Sequence, residues 1–215
     1  PDLAPEMSER LTSSLASLES KKWFYLATSS EDIPDLRKPI LVLDKQLSLI
    51  ENDNLHYNFE DFDNANHYTM IGLAIPRALE SIFESYGPIS VKEYDTQIVI
   101  SETSPYDYLV DKYKTIEEYF GLETQIRIND FLAIGKALEF HQNWNDMEKL
   151  GELARENYPD SMLGTYYLAR SYEAGGNPKK AMRTYQNAYG QEEVAFLTVD
   201  FMLQKAELIK QDFGY

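Results

Sequence analysis

Apolar residues at the start of the chain recur about one helical turn apart. Met7, Leu11, Leu15 and Leu18 share one side of residues 4–19, and the Ala, Glu and Leu content supports a helix there. Residues 21–28 (Lys-Lys-Trp-Phe-Tyr-Leu-Ala-Thr) form a compact aromatic run with polar boundaries, which predicts a buried strand. The polar turn Ser29-Ser30-Glu31-Asp32 follows, with two adjacent carboxylates. Residues 34–49 return to helical spacing, with Asp35 near the start, Pro39 early and Ile40, Leu41, Leu43, Leu47 and Leu49 apolar. Asn52-Asp53-Asn54 stops that helix. Residues 55–62 predict a second strand, residues 63–66 a polar loop, and residues 71–85 an amphipathic helix, with His67 between loop and helix. A histidine just past the C-terminal end of a strand sits where open α/β sheets place their ligands.

The predicted order is helix, strand, helix, strand, helix. About 26 residues including a helix join the two strands, which is the content of a right-handed crossover and makes the strands parallel. Two parallel strands cannot close a core alone, so this half reads as the last part of a larger α/β sheet. Gly87-Pro88 closes it. Residues 89–105 read as an extended or irregular linker. Residues 106–120 then form an amphipathic helix (Tyr108, Leu109, Tyr113, Ile116 and Tyr119 apolar) that Gly121 ends.

From Ile128 the pattern repeats with a period of 34. Gly135 maps onto Ala169, Asn143 onto Asn177, Met147 onto Ala181 and Ala154 onto Ala188. Each unit reads as helix, short Asn-containing turn, helix, with small residues where two helices approach. The pattern resembles the tetratricopeptide repeat, with repeats at about 128–161 and 162–195 and a closing helix at 196–210 whose Leu197, Phe201, Met202 and Leu208 face inward. Gly151, where that repeat usually has an aromatic, and Glu193, where it usually has proline, depart from it. The fold class expected is therefore α/β plus all-α, mostly helical: an incomplete parallel-sheet segment (1–88) and a helical repeat domain (106–215).

Charge and composition narrow the partners. The net charge of −16 argues against nucleic acid and anionic membrane surfaces. With no cysteine, disulfides, thiolate metal sites and cysteine nucleophiles are excluded. Three scattered histidines leave a zinc site without ligands, and no cofactor is expected. His56 reads as a packing residue of its strand and His141 as a structural residue at a helix end. No apolar run is long enough to span a bilayer. The opening at Pro1, without Met or a basic-then-apolar leader, suggests a processed protein or a piece of a longer one, and leaves bacterial cytoplasm and periplasm or secretion both open.

The first half resembles the C-terminal third of an α/β-hydrolase, and more narrowly the enterochelin esterase/esterase D-like group. The resemblance rests on the feature order, on Phe62-Asp63-Asn64-Ala65-Asn66-His67-Tyr68-Thr69, on Pro76-Arg77-Ala78-Leu79-Glu80-Ser81-Ile82-Phe83, and on the opening Pro1-Asp2-Leu3. It implies that His67 is a general base and that Glu31 or Asp32, with Glu31 slightly preferred, orients its imidazole. It implies a small-molecule ester substrate for the parent protein. No Gly-x-Ser-x-Gly elbow occurs in the 215 residues, so the chain alone is expected to be inactive. The alternative reading is a non-catalytic interaction module, with a peptide or protein partner on the repeats or self-association into a homodimer through the unfinished sheet edge.

Overall fold

In a computed structural model, which describes residues 5–214, Lys22–Glu31 (β1) and Leu55–Asn66 (β2) pair as parallel strands. Pro5–Ala16 (α1) precedes them, Pro34–Leu47 (α2) connects them and Met70–Phe83 (α3) follows. The parallel pairing follows from the helical crossover. Side chains alternate across such a sheet. Phe24, Leu26, Leu55 and Tyr57 face a core formed with Leu11, Leu15, Leu18, Leu43 and Leu47 of α1, α2 and their flanks. On the same side Tyr57 donates to Asp44 (2.8 Å) and Arg37 grips Asp61 through two bonds of 2.8 and 2.7 Å. Trp23 stacks on His56 on the opposite side (5.2 Å between centroids), which accounts for His56 as a packing residue. Burial, and then the nearby Lys21 charge, lower the pKa of His56.

Both strands run further than the apolar pattern predicts. The Ser29-Ser30-Glu31 turn continues β1, and residues 63–66 continue β2. Polar side chains gave no strand signal there; backbone pairing with the neighbouring strand, Glu31 opposite Asn66, decides the extension. At the other end of the unit, Met7 is exposed, so the inward stripe of α1 begins only at Leu11.

The chain divides into two units, Pro1–Tyr86 and Gly87–Tyr215. The second holds a three-residue helix Val91–Glu93 (α4) that runs into a wider π turn, Tyr94–Ile98, then Pro105–Phe120 (α5), Ile128–Phe140 (α6), Trp144–Asn157 (α7), Met162–Ala174 (α8), Pro178–Gln186 (α9) and Val199–Phe213 (α10). Residues 89–105, expected as an extended or irregular linker, carry helical turns over 91–98, while residues 99–104 lie outside any helix or strand. Ser90 and Glu93 form a reciprocal capping box, Ile98 is buried, and the Ile89 N–H donates to Asp130 (2.9 Å), so the segment belongs to the helical unit. The cap at Ser90 starts these helical turns.

The helical pairs α6–α7 and α8–α9 begin 34 residues apart: 162 − 128 and 178 − 144. Gln142 and Gly176, also 34 apart, both take positive φ (54° and 77°), and Asn143 and Asn177 both occupy the N-cap that follows. Small residues permit the close crossings. A Cβ on Gly135 would lie 2.4 Å from the Tyr167 ring, and one on Gly164 would lie 2.7 Å from the Gly151 carbonyl oxygen. The closing helix begins at Val199 rather than 196, because residues 194–197 form a tight turn with Ala195 at φ 53°. Its inward residues are Met202, Ala206 and Ile209; Leu208 is half exposed, one position off that stripe.

Candidate functional site

Asp32 is the first residue past β1, and its backbone N–H returns to the Ser29 carbonyl (3.1 Å). That turn points the Asp32 side chain inward, where it is fully buried. Its Oδ2 accepts from the Thr28 hydroxyl (3.0 Å) and its Oδ1 from the Ile33 N–H (2.7 Å). Oδ1 also lies 2.8 Å from His67 Nδ1. Burial pushes the Asp32 pKa up, but the bonds from His67, Thr28 and Ile33 outweigh it and hold the carboxyl below its ordinary value.

His67 reaches this carboxylate through an irregularity in the strand pairing. Between the pairs Ser29–Phe62 and Glu31–Asn66, β1 advances two residues while β2 advances four. The two extra residues bow β2 outward, with Asn64 at φ 58°, its N–H held by the Ser30 hydroxyl (3.1 Å), and Ala65 buried. Asn66 then closes the turn: its side-chain Oδ1 accepts the N–H groups of Tyr68 (3.0 Å) and Thr69 (3.1 Å), while its backbone N–H donates to the Thr69 hydroxyl (2.9 Å). The histidine backbone is thereby fixed between a strand end and the start of α3.

A buried carboxylate that is already accepting two N–H or O–H groups takes a proton-bearing Nδ1. This sets the tautomer with Nε2 as the free lone pair. The imidazole side chain is 35% exposed. An imidazole oriented through Nδ1 can accept a proton from a hydroxyl at Nε2 and pass it on.

Of the three residues singled out in the sequence, Asp32 and His67 come together and Glu31 does not. Adjacent residues at a strand end point to opposite sides, and Glu31 is exposed. Thr28 and Asn66 also position the pair. Thr28 stands four residues before the acid at the strand end and Asn66 immediately before the histidine, and an Asn-His-x-Thr turn was the available signal. The acidic run around Asp61 is partly neutralised by Arg37, and among the described residues no group of three or more His, Cys, Asp or Glu is placed to hold a metal.

No protein-family model matches the sequence, and no curated protein matches it. Among solved structures, the chain is similar to the crystal structure of an uncharacterised protein from Capnocytophaga ochracea DSM 7271, with 28% sequence identity and a TM-score of 0.84. The match covers 97% of this chain and 59% of that one, so this chain spans about three-fifths of the length of the protein it resembles.

Proposed function

We propose that the first unit carries the acid–histidine half of a serine-hydrolase-type site, acting on an ester or related acyl bond, and that the second is a tetratricopeptide-like helical domain. The observation that carries the reading is the 2.8 Å contact between His67 Nδ1 and a fully buried Asp32 whose other bonds are satisfied locally. Pairing of this kind serves a base that must become imidazolium and return to neutral within one cycle. The order acid then histidine along the chain, at the ends of two parallel strands, supports the α/β-hydrolase arrangement over other hydrolase folds. The hydroxyl nucleophile is supplied by polypeptide outside these 215 residues, which contain no Gly-x-Ser-x-Gly. In the assembled site, His67 Nε2 would take the nucleophile's proton as it attacks the carbonyl carbon and deliver it to the leaving alcohol. Asp32 would hold the ring and stabilise its charged form. The 34-residue recurrence of helix starts, positive-φ turn residues and N-cap asparagines supports the repeat reading of the second unit.

The test is hydrolysis of a p-nitrophenyl ester by the product of the full reading frame. His67→Ala and Asp32→Asn should each lower kcat by about 10³- to 10⁴-fold, and Glu31→Gln should not. The 215-residue chain alone should hydrolyse nothing beyond the rate of free imidazole. Full activity in His67→Ala would overturn the proposal.

A second reading, interaction through the helical repeats, is favoured by one observation: Phe140 (70%) and Phe196 (51%) are exposed large aromatics, and Phe196 packs edge-on against Tyr166 and Phe201.

A further inference from the structure

α3 is apolar but buries none of its side chains fully. Its partly covered positions, Met70, Ala74, Ala78, Ser81 and Ile82, recur at three- and four-residue spacing, and the middle of that stripe is small. They seat the helix closely on the sheet, where Arg77 lies near Glu60 of β2 and Tyr25 of β1. The exposed large residues stand off that stripe. Ile71, Ile75 and Leu79 lie at i, i+4 and i+8, and so form one ridge along the helix. Their exposures are 53%, 57% and 50%. A contiguous apolar ridge of this kind marks an interaction surface. It starts at the turn that holds His67.

Three further facts bear on the occupant. β1 and β2 form a two-stranded parallel sheet, although parallel sheets are normally wider and covered on both faces. Each strand therefore keeps one edge unpaired within this sheet. About two-fifths of the chain of the similar protein from Capnocytophaga ochracea DSM 7271 lies outside the match. We infer that the Ile71–Ile75–Leu79 ridge docks a strand-and-helix segment of the same, longer polypeptide, which adds parallel strands beside β1 or β2 and lies against α3. This rests on the reading of Asp32 and His67 as half of a site, and it names where the other half attaches. Apolar, small-next-to-large relief fits an α/β segment. A soluble acidic or basic peptide would leave the ridge wet.

Hydrogen exchange over residues 68–83 tests it on the wild-type 215-residue chain and on the product of the full reading frame. The amides of 70–83 should exchange at least about tenfold more slowly in the longer protein. Ile75→Lys and Leu79→Lys should leave the helical signal of the 215-residue chain unchanged and raise its solubility, yet lower the melting temperature of the longer protein. Leu49→Lys, at a site 81% exposed, should do neither. Equal exchange in the two proteins, protection of 70–83 through self-association of the 215-residue chain, or a reading frame that adds no such segment would each overturn the inference. Its failure is separable from that of the proposed function. Loss of His67-dependent hydrolysis leaves the exchange result standing, and an unprotected α3 in a hydrolytically active protein sinks only the docking surface.

Discussion

Neutralising Asp32 by Asp32→Asn keeps its shape but breaks a set of bonds built for an anion. The carboxylate accepts from Thr28, Ile33 and His67, and an amide can accept on only one of its two terminal atoms. One of these buried partners is left facing a donor, at a cost of about 1–3 kcal/mol in urea unfolding of the first unit. Glu31→Gln, on an exposed side chain, should change the same measurement by about 0.5 kcal/mol or less. The pair of variants separates the two adjacent acids without reference to any substrate. Lys21–Thr28 composition could not choose between them. The choice comes from the turn after β1, where the Asp32 N–H bonds back to Ser29 and swings one carboxylate in and the other out.

At the level of elements, the helices of the second unit approach one another as closely as their glycines allow. In Gly164→Ala the new Cβ would meet Arg155 Cγ at 2.5 Å, the Gly151 carbonyl oxygen at 2.7 Å and the Arg155 nitrogen at 2.9 Å. Two of these are backbone atoms of α7 and cannot turn aside, so α7 and α8 must separate, at about 1–3 kcal/mol. Gly72→Ala is the contrasting case. It lies in α3 with nothing within 4 Å of the added Cβ, and should stabilise the first unit by about 0.5–1 kcal/mol. Thermal melts of both variants check the signs. The 34-residue spacing of small residues announced the close crossings in advance. The capped turns at 91–98 were not announced, because an α-helix of three residues is too short to show a period.

Across the whole molecule, each unit carries a buried, multiply bonded carboxylate whose pKa is lowered, Asp32 in the first and Asp146 in the second. Burial raises the pKa of Asp146, but bonds from Lys149, Ser104 and Asn143 bring it below the ordinary value, as with Asp32. The sign follows: folded values below the unfolded value of 3.8 contribute stability that is complete above it and lost as pH falls through the native value. Both units should therefore weaken on the acid side, between about pH 5 and pH 2. Each unit also has its own reporter, Trp23 in β1 and Trp144 in α7. In a Trp144→Phe background, the fluorescence melt of Trp23 should lose its acid dependence in part on Asp32→Asn and not on Asp146→Asn. No helix among the described residues is long and apolar enough to cross a membrane.

Apart from the strand extensions at 29–31 and 63–66 and the short helix at 91–93, the sequence alone shows where the helices and strands lie, that the two strands run parallel, and that matched positions over 128–195 are spaced 34 apart. These follow from local periodicity and from the length of the crossover, which act along the chain. It also put His67 beside a strand end and showed that no serine elbow accompanies it. Only the tertiary structure decided that Asp32, not Glu31, meets His67. That contact joins residues 35 apart through a strand irregularity that inserts two residues into β2, and pairing register of this kind is set between strands rather than within one. The exposure of α3 is likewise a tertiary fact. Its apolar pattern is legible in the sequence, but only the structure shows that Met70, Ala74, Ala78 and Ile82 are partly covered while Ile71, Ile75 and Leu79 stay exposed.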